Sequence, residues 1–214
     1  MKKLSAIGFF LLFTVVGYAQ KDPKALTVLD AMSAKYSKIS AYKAKITSTL
    51  ISEEDGLNEE YSGEITVKGD MFRLKMDEQE IYNDGVTVWT YLSDANEVNI
   101  DNYDPDEDEF APSKVYNAYK KGYKYIHVEE AQENGKLCDV IDLIPDANKS
   151  SQFFKIKMFI SQKDRSLVSW VMFEKSGTKY RYSISDFNGS ISVKDDYFKF
   201  NKANYPNVEV IDLR

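Results

Sequence analysis

The residue types that most often carry chemistry are scarce in this chain. His127 is the only histidine and Cys138 the only cysteine. There is no His-rich metal cluster, and a nucleophilic set would have to be assembled around His127 by chance. Both residues lie in strand-like alternation, where Cys138 is expected as a buried, inert thiol; one cysteine also excludes an internal disulfide. Asp104, Asp106 and Asp108, within the acid-rich stretch 101–109, have the spacing of the first three ligands of a calcium loop. The sixth position is Glu109 instead of glycine and the twelfth is Val115 instead of glutamate, so the stretch reads as a solvated loop. No glycine-rich loop opens a helix, and carboxylate pairs are too common here to single out a general acid and base. The Asn-x-Ser matches at Asn148 and Asn188 are short patterns that arise easily. Neither cofactor nor metal is expected, and the function expected is binding, not catalysis.

What the remaining residues could bind is bounded by charge and by the N-terminus. Lys2 and Lys3, the apolar run Leu4 to Val16 and the small-x-small step Gly17-Tyr18-Ala19 form an export signal, with cleavage expected after Ala19. The apolar run is too short for a comfortable membrane span. No cysteine follows the cleavage site, so the chain is not expected to be a lipoprotein itself. The formal charge of −6 becomes −8 once Lys2 and Lys3 leave with the signal. Such a surface is a poor partner for nucleic acid or an anionic membrane. Residues 20–214 are long enough for one sizeable core, and no linker divides them.

Helical spacing of Ala25, Val28, Leu29, Met32 and Tyr36 predicts a helix over 23–38, capped by Asp22 with Pro23 at its first position. A second, short helix is expected over 114–121, with Ser113 as cap and Gly122 as its C-terminal stop; Val115, Tyr116 and Tyr119 face one way. Most of the rest alternates between apolar and polar residues, with fifteen tyrosines and twelve phenylalanines favouring strands. Strands are expected over 42–51, 61–68, in a meander of five between Gly63 and Asp101, and over 123–131, 136–144, 153–161, 167–175 and 178–187. About eleven antiparallel strands of this kind curl into a barrel or a half-open one.

Two hairpins carry strong turn chemistry, Asp84-Gly85 and Asn134-Gly135. A two-residue turn at Asp84-Gly85 would pair Asn83 with Val86, so that Ile81 faces Val88 and Glu80 faces Trp89. Both faces of that central strand are then largely apolar, whereas an antiparallel sheet with one wet face shows a clean alternation. A core accounts for one face; helices or a cavity with an apolar guest must account for the other. Phe154, Ile156, Met158 and Ile160 share a face of their strand, as do Val168, Trp170 and Met172, and Tyr180, Tyr182 and Ile184. Methionine and aromatic residues together make an adaptable apolar lining.

The order of parts resembles the outer-membrane lipoprotein carrier family, LolA. The likeness runs from the first helix through Gly63-Glu-Ile-Thr-Val-Lys, Met71-Phe-Arg-Leu and Asp84-Gly85-Val-Thr-Val-Trp-Thr-Tyr to Tyr182-Ser-Ile-Ser-Asp-Phe-Asn-Gly, Phe198-Lys-Phe and Pro206-Asn-Val-Glu-Val-Ile-Asp. It implies an unclosed antiparallel barrel of about eleven strands under a helical lid, with a cavity for the acyl chains of lipoproteins. Pulling three chains of about a dozen methylenes into water would cost on the order of 30 kcal/mol at ~0.8 kcal/mol per methylene, so a carrier is needed. The cavity expected on this likeness is walled by Phe72, Leu74 and Met76 and by Trp89 and Tyr91. Val28, Met32 and Tyr36 would roof it with Tyr116 and Tyr119, and Met158, Trp170 and Met172 would complete it. An arginine near the end of the second strand latches the family's lid; here Val67-Lys68-Gly69-Asp70 occupies that place, leaving Lys68 or Arg73 as candidates.

The partners implied are acylated lipoproteins, an inner-membrane ABC transporter that releases them and an outer-membrane acceptor, with the carrier a monomer in the periplasm. The competing expectation is a periplasmic lipid-sensing regulatory or interaction protein on the same half-barrel. A sensor calls for a further partner-binding domain or a tether, and neither is visible in the sequence.

Overall fold

The structure, a computed structural model, describes residues 22–104, 111 and 113–214. The expected export signal and most of the acidic stretch with its calcium-like spacing lie outside those residues.

Helix α1 spans Pro23–Tyr36, ending two residues before the expected boundary. Asp22 caps it as foreseen: its Oδ1 accepts the Lys24 N–H at 2.8 Å. The same residue also ties the helix to a strand, because its Oδ2 accepts the His127 N–H at 2.9 Å and its own N–H donates to the Tyr125 carbonyl at 3.1 Å. The stripe Ala25, Val28, Leu29, Met32 and Tyr36 is buried throughout.

Twelve strands follow: β1 (Tyr42–Ser52), β2 (Leu57–Lys68), β3 (Met71–Met76), β4 (Gln79–Asn83), β5 (Thr87–Leu92), β6 (Glu97–Asn102), β7 (Tyr123–Glu133), β8 (Lys136–Pro145), β9 (Phe153–Ser161), β10 (Leu167–Glu174), β11 (Lys179–Asn188) and β12 (Glu209–Asp212). They form one sheet in the order β12-β6-β5-β4-β3-β2-β1-β11-β10-β9-β8-β7. Two meanders, β1–β6 and β7–β11, are joined where β1 pairs antiparallel with β11. The ends β12 and β7 remain edges, so the barrel is unclosed. β12 is the strand beyond the expected eleven, and it runs parallel to β6.

Period-two alternation sets the core. Tyr42, Ala44 and Ile46 of β1, Ile65 and Val67 of β2, Ile141 and Leu143 of β8, and Ile156, Met158 and Ile160 of β9 form one buried cluster with α1. Two irregularities alter the expected faces. Between Leu167 and Ser169 the pairing of β10 with β9 shifts, so Leu167 joins the cluster in place of Val168. Near Phe173 and Glu174 a second shift turns Phe153 toward the core and leaves Phe154 49% exposed. A bulge inserts one residue on one strand and exchanges its faces beyond that point.

The hairpins also differ from expectation. Asn134 and Gly135 form the two-residue turn with both φ angles positive, +48° and +74°, between Glu133 and Lys136. At Asp84-Gly85 only Gly85 has positive φ. There Asp84 Oδ1 accepts from Val86 and Thr87 N–H, and Asn83 Oδ1 accepts from Gly85 N–H. These side-chain bonds stabilise a longer loop, so Asn83 pairs with Val88, Ile81 with Thr90 and Glu80 with Tyr91. The register slips by two residues, which preserves the faces. The expected second helix is a short 3-10 segment, Val115–Lys120, whose start is held by the Ala111 carbonyl; Ser113 makes no capping bond.

Candidate functional site

The core under α1 is densely furnished. Tyr36 stacks on Tyr116 with ring centroids 3.6 Å apart, and the Tyr116 hydroxyl donates to that of Tyr42 at 2.9 Å. The Tyr36 hydroxyl accepts the Leu167 N–H at 3.2 Å. Burial pushes all three phenols above their ordinary range, so they stay neutral hydrogen-bonding groups. Tyr119 donates to Asp30 of α1 at 2.5 Å, and Lys35 near the helix end reaches Asp164 at 2.8 Å. Met32, Met158 and Trp170 have no solvent exposure, and Val28 and Met172 very little. Of the residues expected to line a cavity, Val28, Met32, Tyr36, Tyr116, Tyr119, Met158, Trp170 and Met172 are thus brought together, in a filled core.

The same sheet face continues past this core across β3 to β6. Phe72 and Leu74 are only half-buried against the cluster. In register, Leu74 lies between Ile65 and Ile81, and Phe72 between Val67 and Asn83. A hollow of about 630 Å³ opens here, lined by Phe72, Ile81, Val88 and Thr90, with Asp101, Tyr103, Asp104 and Lys114 among its polar residues and Leu213 from the C-terminus. A smaller hollow of about 250 Å³ adjoins it, lined by Tyr36, Tyr42, Val67, Ser113 and Tyr116 among others. Met76, at the far end of β3, borders another hollow of about 470 Å³ together with Tyr61. Volumes of several hundred Å³ with mixed apolar and polar lining fall in the range of small-molecule sites.

Trp89 and Tyr91 are not part of this face. They pair with Tyr82 and Glu80 and point to the opposite side of the sheet, where a C-terminal strap from Asp195 to Val208 packs on Tyr82 and Tyr91. Tyr91 lies 4.4 Å from Tyr205 and 6.3 Å from Phe200, and Phe198 and Val98 are fully buried on this side. The second apolar face of the central meander is therefore covered by the chain's own C-terminal segment. Neither latch candidate reaches α1, because both sit under this strap. Lys68 donates to Asp195 at 2.6 Å and to the Val193 carbonyl. Arg73 bonds Glu80 at 2.7 Å, with its guanidinium between the rings of Tyr82 and Tyr197 at 4.6 and 4.7 Å. Burial alone would raise the Glu80 carboxyl, but hydrogen bonds from Tyr205 and Arg73 hold it below its usual range.

The family model described as outer membrane lipoprotein carrier protein LolA matches residues 37–201. The chain belongs to the LolA family. No curated protein matches the sequence. Among solved structures, an uncharacterized conserved protein from Thermus thermophilus is similar in fold with a TM-score of 0.58 at 11% identity, covering 88% of this chain and 99% of that one. Lipoprotein LppX from Mycobacterium tuberculosis gives 0.52 at 12% identity, over 81% and 100%. At such identities the likeness is one of fold. No helix among the described residues is long and apolar enough to cross a membrane.

Within this LolA-family fold, sequence reasoning missed Ile81, Val88, Thr90 and Leu213 as residues lining the larger hollow, although the alternation that faces Ile81 with Val88 was visible. It also missed a polar cluster at the far end of the core. His127 Nε2 lies 2.9 Å from Asp139 Oδ1, Gln162 donates to the same oxygen, and Arg165 donates to Oδ2 at 2.6 Å. Burial opposes ionisation of Asp139, yet these donors keep its carboxyl below the usual range. Arg165 is thus seated on Asp139, with the ligand atoms of His127, Glu130 and Asp139 within 4.8 Å of one another. Cys138 is buried, and burial raises its thiol to about 11, so it is an inert thiol as expected.

Proposed function

We propose that this protein is a non-catalytic, monomeric carrier that binds the acyl chains of lipoproteins and moves them between the inner and outer membranes. The observation that carries this reading is the hollow of about 630 Å³ on the apolar face of an unclosed sheet, beside rather than beneath the helix. Half-buried Phe72, with Ile81 and Val88, offers acyl chains a partly exposed apolar surface in the hollow, and Leu74 stands next to Ile81 in the sheet. Membership of a family described as an outer membrane lipoprotein carrier supports the same ligand class. On this reading the chain is exported to the periplasm with cleavage after Ala19. It takes its load from an inner-membrane ABC transporter and yields it to an outer-membrane acceptor.

The test is release. Spheroplasts of the native host carrying radiolabelled lipoproteins are incubated with the purified mature protein, and the supernatant is examined for soluble lipoprotein complexed with it. Labelled lipoprotein that stays in the membrane at saturating carrier overturns the proposal. Intact mass of protein from the periplasm reads the export step, and a chain that still begins at Met1 refutes it.

A further inference from the structure

Among the described residues, three buried side-chain groups around the hollows have no hydrogen-bond partner: Asn83 Nδ2, the Tyr103 hydroxyl and the Ser113 hydroxyl. Buried polar groups are nearly always paired, so each such group calls for an explanation. Asn83 has no solvent exposure. Its Oδ1 accepts the Gly85 N–H at 2.7 Å, which fixes the amide orientation and leaves Nδ2 as a donor with nothing to receive it. In the sheet it stands between Phe72 and Val88, both of which line the large hollow. Tyr103 lines that hollow too, and Ser113 lines the smaller one beside Lys114 of the larger. Val67 and Phe72, paired across β2 and β3, connect the two. Tyr103 and Ser113 thus line the two neighbouring hollows, and Asn83 stands in the sheet between two residues of the larger one.

We propose that this region is a subsite for the neutral carbonyl oxygens that join acyl chains to their glyceryl head, with the chains lying along Phe72, Leu74 and Ile81. This rests on the acyl-binding reading above and specifies its ligand. An amide nitrogen can only donate, so the missing group must be an acceptor. Asp101 and Asp104 oppose Lys114 in the lining, which disfavours a carboxylate or phosphate and favours a neutral acceptor such as an ester or amide carbonyl. Asn83 is flanked in the sheet by Phe72 and Val88, which are only half-buried. A chain that parts these two side chains brings its carbonyl to the donors.

The experiment compares dipalmitoylglycerol with its di-O-hexadecyl ether, which has the same chains but no carbonyls. Both displace a fluorescent fatty-acyl probe, and a dipalmitoylated glyceryl-cysteine peptide is run beside them. Wild type should bind the diester about tenfold more tightly than the diether, equivalent to ~1.4 kcal/mol. The lipopeptide should bind at least as tightly as the free diester if a lipoprotein is the natural source, and more weakly if a free glyceride is. Tyr103→Phe with Ser113→Ala removes only unpaired hydroxyls and should leave the melting temperature unchanged while reducing the ester preference severalfold. Asn83→Asp keeps the acceptor for Gly85, replaces the donor with an acceptor, and should abolish the preference. Equal binding of diester and diether by wild type overturns the subsite while leaving acyl binding intact; binding of neither overturns both. A double variant that keeps the full preference, or that unfolds, also overturns the subsite.

Discussion

Leu74→Ala and Met158→Ala form a matched pair that separates an open trough from a packed core on the same sheet face. Met158 has no exposure and lies between Ile141 and Trp170 in the register. Truncating it leaves a void that its neighbours under α1 cannot fill, at a cost of ~2–5 kcal/mol. Leu74 lies between Ile65 and Ile81 but is only half-buried. With little close-packed shell to lose, its truncation should cost ~1 kcal/mol, the transfer term of its buried part. At a urea slope of about 2 kcal/mol/M, the midpoint should fall by ~0.5 M for Leu74→Ala and by ~1–2.5 M for Met158→Ala, read by far-UV circular dichroism. Binding should rank the other way. Leu74→Glu places a carboxylate where chains lie, and a charge among acyl chains is strongly disfavoured, so it should stay folded and lose the fluorescent fatty-acyl probe. If Leu74→Ala costs as much as Met158→Ala, or Leu74→Glu unfolds the protein, the β3–β6 face is packed core and the trough reading is wrong.

Arg73→Ala strips Glu80 of its ion pair and two rings of their cation, so it should destabilise by ~2–3 kcal/mol. Hydrogen exchange should speed up across 195–208 and stay unchanged across 23–36, and faster exchange in α1 would restore Arg73 as a lid latch. Gly63→Ala would place a Cβ 2.5 Å from the Lys75 carbonyl oxygen, a clash between β2 and β3 that should cost more than ~2 kcal/mol; a change under ~0.5 kcal/mol in urea melts would refute this approach of the strands. The Asp139 carboxyl is held below its ordinary value of 3.8, so its stabilisation is present above that value and is lost as pH falls through the folded value. Thermal stability should therefore drop as pH falls below about 4, with a shallower slope in Asp139→Asn; identical slopes would show that the cluster contributes nothing.

Much of the fold was legible because period-two alternation and turn chemistry are local. Asp22 and Pro23 mark the helix start without reference to anything distant, and Asn134-Gly135 sets its own turn. The misreadings share a physical cause, which is that the deciding contact is a side-chain bond or a remote segment. Asp84-Gly85 has the composition of a two-residue turn, but the Asp84 carboxylate captures two N–H groups and lengthens the loop. Phe154 and Val168 were assigned by strict alternation, which cannot show where a bulge exchanges the faces. Trp89 and Tyr91, expected in the cavity wall, lie on the second face, where Tyr91 meets Phe200 and Tyr205, more than a hundred residues along. Lys68 and Arg73 were misread for the same reason, since their partners belong to that strap or to the meander itself. The unpaired donors at Asn83, Tyr103 and Ser113 have no sequence pattern, because a missing partner is a property of the folded surroundings.

On the proposed function, the covering of the two faces also decides where an acyl chain would enter. The outer face is sealed by aromatic contacts and by the Arg73–Glu80–Tyr205 bonds, so entry belongs to the helix side. Displacing α1 would expose Val28, Leu29 and Met32, at ~1.5–3 kcal/mol each, on the order of 6 kcal/mol before the polar ties at Asp22, Lys35 and Tyr36 are counted. One chain of about a dozen methylenes gains ~10 kcal/mol from burial. Lifting the helix would consume most of that gain, whereas the hollow beside it presents Phe72, Ile81 and Val88 without displacing α1. On that reading a chain would seat first along β3 to β6. The helix-covered core then acts as the fixed wall against which the chain packs, and movement of α1 becomes favourable only when further chains add their own burial to the balance.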